Sequence, residues 1–176
     1  IKAILLLINQ EDTLTAIVCG SRAPIIDPNR AEACILVQAG DKIFIFDTGD
    51  GSVQNLVKWN IPFDRVKGVF YTHLHSDHIA DIGEIHMDTW VAGARKSKLK
   101  VYGPEGVQLL TDGTELAYTN DYIFRNEHHG DLLAPLDVVG FDTHTVDLKN
   151  PILIDEDNLK ITAYSVSHDP VEPALG

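Results

Sequence analysis

YTHLHSDHIADIG, residues 71–83, places His73, His75, Asp77 and His78 within six consecutive positions, between an apolar run and a segment with helical spacing. Alternate residues of a strand point the same way, so His73 and His75 at a strand end present two imidazoles to one point while Leu74 faces the core. Asp77 and His78 follow where the chain turns into a helix, and bring a carboxylate and a third imidazole toward a neighbouring point. A negative charge at Asp77 also suits the start of that helix. Neutral imidazole and carboxylate are the ligands expected for zinc and related first-row ions. A capped helix with incidental histidines explains one such residue, not four ligand types at one strand-to-helix junction.

Outward from this motif, the first half of the chain is rich in short β-type runs: AILLLI, TLTAIVC, ACILVQ and KIFIFD. AGD joins the last two as a hairpin, and the unbroken apolar run Ile43–Phe46 is expected to be buried on both faces. SVQNLVKWN carries Val53, Leu56 and Val57 at helical spacing, with Ser52 or Asp50 as its expected cap. VKGVFYT returns to strand. After His78 the positions Ile79, Ile82, Ile85 and Trp90 form one helical stripe. KLKVYGP reads as another strand, and a helix is expected from about Glu105 to Ala117. Residues 119–136, polar and aperiodic, read as a long loop or lid bearing His128 and His129 as candidate substrate-facing residues. HTVDL, PILID and KITAYSVS are late strands. His86, on the helix after the motif, and His144, at the start of a late strand, are read as structural. Strands mixed with helices and no internal repeat indicate one layered α/β domain over residues 1–176.

The 176 residues carry 26 acidic against 14 basic side chains, a formal charge of −12, which disfavours RNA or any other nucleic acid as a partner because that binding rests on neutralising phosphates. ARKSKLK, residues 94–100, is a local concentration of cations that reads as a solvated loop. With only Cys19 and Cys34, an all-thiolate zinc knot and a disulfide framework are both disfavoured, though a single bridge stays open. IKAILLLI is too short to span a bilayer and lacks a signal-peptide cleavage pattern, so no membrane role is expected. The cytoplasm is the favoured compartment, with export left open because the chain starts at isoleucine.

THLHSDH after a buried strand resembles the H-x-H-x-D-H signature of the metallo-β-lactamase superfamily. CGSRAPIIDPNRAEACILVQAGDKIFIFDTGDG and VYGPEGV resemble the branch containing tRNase Z and arylsulfatase-like hydrolases, and YSVSHDPVEPALG is similar to the segment supplying that branch's next metal-binding histidine. The resemblance implies an αββα sandwich, of which this chain holds the N-terminal part and lacks much of the second half. It also implies that His73, His75 and His168 hold one metal while Asp77 and His78 contribute to a second. Asp47 in FDTGD is similar to a position that supports the site from below; turn-forming and capping chemistry would also account for an aspartate there. The family's bridging aspartate and final histidine are expected beyond Gly176. Ser76 stands where tRNase Z usually has glycine.

Such a site acidifies a bound water and polarises an ester, with Asp77 as both ligand and proton acceptor. The expected cofactor is zinc, one or two ions, with manganese or iron compatible with the same ligands. The expected activity is hydrolysis of a phosphodiester, sulfate ester or related ester in a small-molecule or nucleotide substrate. Alternatives are a tRNA 3′-end endonuclease, a lactonase, a non-catalytic metal-binding domain and an iron-dependent redox protein. A homodimer is compatible with all of them.

Overall fold

The hairpin predicted around AGD organises the computed structural model, which describes residues 13–176; AILLLI lies outside the described residues. Strands β2 (Cys34–Ala39) and β3 (Lys42–Phe46) pair antiparallel, Ile35 opposite Phe46 and Ala39 opposite Lys42. Gly40 turns the chain at φ 59°, a conformation that glycine adopts without steric cost. β1 (Leu14–Gly20) adds antiparallel to β2. On the other side β4 (Val66–Phe70), β5 (Leu99–Gly103) and β6 (Phe141–Thr145) continue in parallel, giving a six-stranded sheet in the order β1-β2-β3-β4-β5-β6.

Parallel neighbours require crossovers, and helices supply them. α1 (Ser52–Lys58) joins β3 to β4; α2 (Ser76–Ile79) and α3 (Ile82–Met87) precede β5; α4 (Val107–His129) leads to β6. One face of β3 sends Ile43 and Ile45 into a core shared with Val53 and Leu56 of α1, Ile85 of α3 and Val107 of α4. Its other face sends Phe44 against Phe70 and Tyr102, whose rings stack at 4.7 Å. That face is covered by the hairpin β7 (Ile152–Glu156) and β8 (Leu159–Thr162) through Leu153, Ile154, Leu159 and Ile161. β3 is therefore buried on both faces, as its unbroken apolar run implies. A short pair, β9 (Ser165–Val166) and β10 (Ala174–Leu175), closes the chain. The mixed α/β layers around a central sheet match the fold class read from the sequence.

Four local expectations are corrected. Residues 119–129 are not a loop: α4 runs from Val107 to His129, more than a turn beyond Ala117. After Val107 and the half-buried Leu110 in its first turn, its buried positions are Thr111, Thr114 and Tyr122, and Leu109, Leu116 and Phe124 point to solvent, so no apolar period marks its later turns. α1 is capped by neither Ser52 nor Asp50 side chains; Gly51 occupies the cap position, and the Asp81 carboxylate accepts from Val53 N–H at 3.1 Å. The stripe after His78 is broken at Ala80–Asp81 and ends in a π-turn, Asp88–Ala92, that buries Trp90. His144 is the fourth residue of β6, not its start, and stacks on Tyr102. Cys19 and Cys34 form a disulfide between β1 and β2, the single bridge that the sequence left open.

Candidate metal centre

Strand β4 ends at Phe70, and the residues after it leave the sheet at its carboxyl edge, where open parallel sheets place their ligands. His75 adopts extended backbone as the cap of α2, and its carbonyl accepts from His78 N–H at 3.0 Å, which sets Asp77 and His78 on the first turn. Beside them runs the loop after β3. Asp47 there has a left-handed backbone, φ 60°, tolerated by aspartate, which turns its carboxylate toward β4. Gly49 lies so close to α2 that a Cβ would meet the Asp77 carbonyl oxygen, so only glycine fits. Thr48 N–H donates to His78 O at 2.7 Å and Asp81 N–H to Thr48 O at 2.8 Å, stitching the two loops together.

His168 arrives from the far end of the chain. Leu175 N–H donates to Thr72 O at 2.9 Å, and β10 pairs with β9, so the turn carrying His168 is anchored on the motif itself. The ligand nitrogens of His73, His75 and His168 all lie within 4.8 Å of one another. His73 Nε2 and His75 Nδ1 are 3.1 Å apart, close to the separation of about 3.3 Å between two nitrogens on one tetrahedral zinc. His73 is buried while His75 and His168 face solvent, so the cluster has a closed back and an open front. His78 and Asp77 border it, with the His78 ring centroid 3.9 Å from that of His73 and His78 Nε2 3.7 Å from Asp77 Oδ2.

Asp47 and Thr72 orient this cluster. A carboxylate only accepts, so Asp47 Oδ2 receives His78 Nδ1–H and the Thr72 hydroxyl, both at 2.8 Å, while Oδ1 receives Thr72 N–H at 2.8 Å. With its one hydrogen spent on Asp47, the Thr72 hydroxyl accepts from His73 Nδ1–H at 3.1 Å. Both imidazoles are thereby left with Nε2 lone pairs facing the cluster. Burial, reinforced by His78, His168 and His75, pushes the His73 imidazole down to about 4, so it is neutral and ligand-competent near neutral pH. Burial opposes protonation of His78, but the hydrogen bond and charge of Asp47 outweigh it and raise its pKa. The donor set fits a divalent first-row ion.

The structure brings together His73, His75, Asp77, His78, Asp47 and His168, all of them candidate site residues in the sequence reading. It places His128 and His129 at the C-terminal end of α4, their rings edge to face, outside the lining of the cleft of about 700 Å³ that holds Asp47, His73, Asp77, His78 and His168. Thr72 and Asp81 were missed; a threonine hydroxyl bridging a carboxylate and an imidazole leaves no spacing signal. Arg22 also lines this cleft, its guanidinium held by Asp50 at 2.8 Å and Glu32 at 3.3 Å.

A sheet with helices on one face and an imidazole cluster at its carboxyl edge defines a metal-binding α/β class. Residues 28–152 match the Metallo-beta-lactamase superfamily, and the chain belongs to that family. It is similar to Ribonuclease Z of Mycobacterium marinum, 35% identical over 161 residues, which are 89% of this chain and 55% of that relative. Ribonuclease Z of Mycolicibacterium gilvum is 30% identical over 159 residues, with 89% and 54% of the two chains covered. The chain spans about half the length of the curated relatives it matches. Among solved structures it resembles human tRNase Z, short form, at TM-score 0.64 and 18% identity over 91% of this chain and 62% of that one. The metallo-beta-lactamase fold protein YhfI of Bacillus subtilis superposes at TM-score 0.63 and 21% identity, over 94% and 56% of the two chains. A diphosphatase of the PhnP family gives 0.62 and 18%, over 90% and 60%. At these identities the likeness is one of fold.

Proposed function

We propose that this chain provides the main ligand set of a metal-dependent phosphodiester hydrolase acting on RNA, of the 3′-end processing type. The observation that carries the reading is the convergence of His73, His75 and His168, with His73 and His78 oriented through Thr72 and Asp47. The name of the Mycobacterium relatives favours RNA within the wider class of phosphodiesters, sulfate esters and lactones. Zinc is the metal the imidazole-rich set suits, held by His73, His75 and His168, with Asp77 and His78 available to a second ion. Held by these residues, a divalent ion would supply Lewis-acid chemistry, lowering the pKa of water and drawing charge from the ester. The chain's own part is to keep His73 neutral, to fix the His78 tautomer through Asp47, and to present Asp77, buried at the cleft floor, as an acceptor for the nucleophile's proton.

The test is metal analysis of the full-length protein, followed by assays on a precursor tRNA with a 3′ trailer, an aryl phosphodiester, an aryl sulfate and a lactone, before and after chelation. Bound zinc, cleavage of the precursor and loss of both on chelation are expected; iron or manganese instead of zinc would reassign the metal alone. His75→Ala should strip the metal, whereas His144→Ala should not. Bound metal with no turnover of any of the four would establish a non-catalytic metal-binding domain, and turnover of only the sulfate or lactone would move the substrate class.

A further inference from the structure

The acidic balance of the chain is unevenly distributed, and one groove reverses it. At the amino ends of β4 and β5, opposite the edge that carries the histidines, a recess of about 650 Å³ is lined by Lys67, Lys96, Lys98 and Lys100. All four are exposed, and among the described residues none of them makes an ion pair. Three acids share the lining: Asp155 is engaged with Lys160 at 2.9 Å and Glu156 with Lys42 at 3.5 Å, which leaves Asp64 as the one acid there with no ion pair among the described residues, against four lysines. In a chain of net charge −12, four unneutralised ammonium groups around one recess are not the average surface.

The platform under them is fixed. Arg95, at the root of the Lys96–Lys98 loop, donates to the carbonyls of Gly140 at 2.9 Å and Val138 at 3.2 Å and to Thr89 Oγ1 at 3.0 Å. Lys67 and Lys100 stand on adjacent parallel strands. Lysines on such a frame lose little backbone freedom on meeting a ligand, and ammonium groups in a row suit a chain of phosphates read by charge rather than by base.

We infer that the groove formed by Lys67, Lys96, Lys98 and Lys100 binds the phosphate backbone of an RNA strand. The inference rests on the proposed RNA hydrolysis and adds to it where the substrate is held away from the metal. From Lys67 to His73 the chain rises about 3.3 Å per residue along β4 and its exit, which puts the groove about 20 Å from the histidines. The groove therefore contributes to holding RNA and not to the chemistry.

The experiment compares the full-length protein with a Lys67→Gln, Lys98→Gln, Lys100→Gln variant and a control carrying Lys58→Gln and Lys149→Gln, two exposed lysines outside the groove. RNA binding is measured against salt in a His75→Ala background, so that it is read without turnover. The triple variant should bind at least about tenfold more weakly at moderate salt and flatten the slope of log K against log salt by about 2, at about 0.7 per lost phosphate contact. The control should leave the slope unchanged. With His75 intact, KM for RNA should rise while kcat, and turnover of a small aryl phosphodiester, stay the same. An unchanged salt slope, or an equal change in the control, would overturn the groove whatever the enzyme cleaves. RNA bound through the lysines with no cleavage by the native protein would keep the groove and remove the proposed reaction.

Discussion

Thr72 shows how much of a metal site is carried by a residue with no metal chemistry of its own. Its hydroxyl donates to Asp47 and accepts from His73, so one oxygen fixes which nitrogen of a ligand is free. Thr72→Val keeps the shape and the backbone bond to Asp47 but removes that relay. We expect it to weaken metal affinity by about 10–100-fold with the melting behaviour of the metal-free protein little changed, while Thr72→Ser stays near native. Calorimetric titration of metal into the stripped protein reads this, and native-like affinity in the valine variant would leave the hydroxyl no orienting role. At this scale the sequence was informative about type and spacing: two histidines alternating off a strand and an aspartate and histidine on the next turn say metal without further help. It was silent about Thr72, because orientation is a property of contacts and not of order.

Among the elements, α3 and its π-turn are held to β6 by a buried imidazole. His86 Nε2 accepts Gly140 N–H at 2.9 Å and faces Arg95 Nη2 at 3.0 Å, and burial, with the Arg95 charge, pushes it down to about 3. The unfolded imidazole takes a proton near pH 6.5 that the folded one refuses, so this residue costs stability as pH falls from about 6.5 toward 3 and nothing above that window. Native protein should lose about 2 kcal/mol more than His86→Gln between pH 7 and pH 5, at up to about 1.4 kcal/mol per pH unit below the unfolded pKa. Urea unfolding at the two pH values measures the difference; parallel losses would mean that His86 is not the titrating group. The same region shows where element boundaries escape the sequence. Beyond its first turn α4 is buried only at Thr111, Thr114 and Tyr122, and its aliphatic side chains at 109 and 116 are outside, so amphipathic reasoning ends it a dozen residues early.

At the scale of the whole molecule, an ion shared by residues 73, 75 and 168, as proposed, would tie the sheet's middle to the end of the described chain. Binding only the folded arrangement stabilises it by mass action, about 2.7 kcal/mol at a hundredfold excess over Kd. Zinc should therefore raise the melting temperature of the stripped full-length protein, and His168→Ala should abolish most of the rise without lowering the metal-free value. A rise of native size in that variant would place the ion elsewhere. Charge is also a whole-molecule property. The sum of −12 argues against a polyanion, yet the fold sets Lys67 beside Lys96, Lys98 and Lys100 of the basic 94–100 run in one recess, a grouping across two strands and a loop that the linear order does not display.

The sequence by itself determined β1 to β5, the β2–β3 hairpin, the double burial of β3, and the clustering of His73, His75, Asp77 and His78 at the exit of β4, because strand period, turn residues and motif spacing are local and survive without neighbours. Only the tertiary structure decided the rest. His168, which the residues alone did not mark and only the family resemblance implied, sits at the motif because β10 hydrogen-bonds to Thr72, Asp81 caps a helix 28 residues before it, Cys19 meets Cys34 across β1 and β2, and Lys67 joins the lysines of the 94–100 run in one groove. Each of these depends on which segments the sheet order brings side by side, and packing, not periodicity, sets that order.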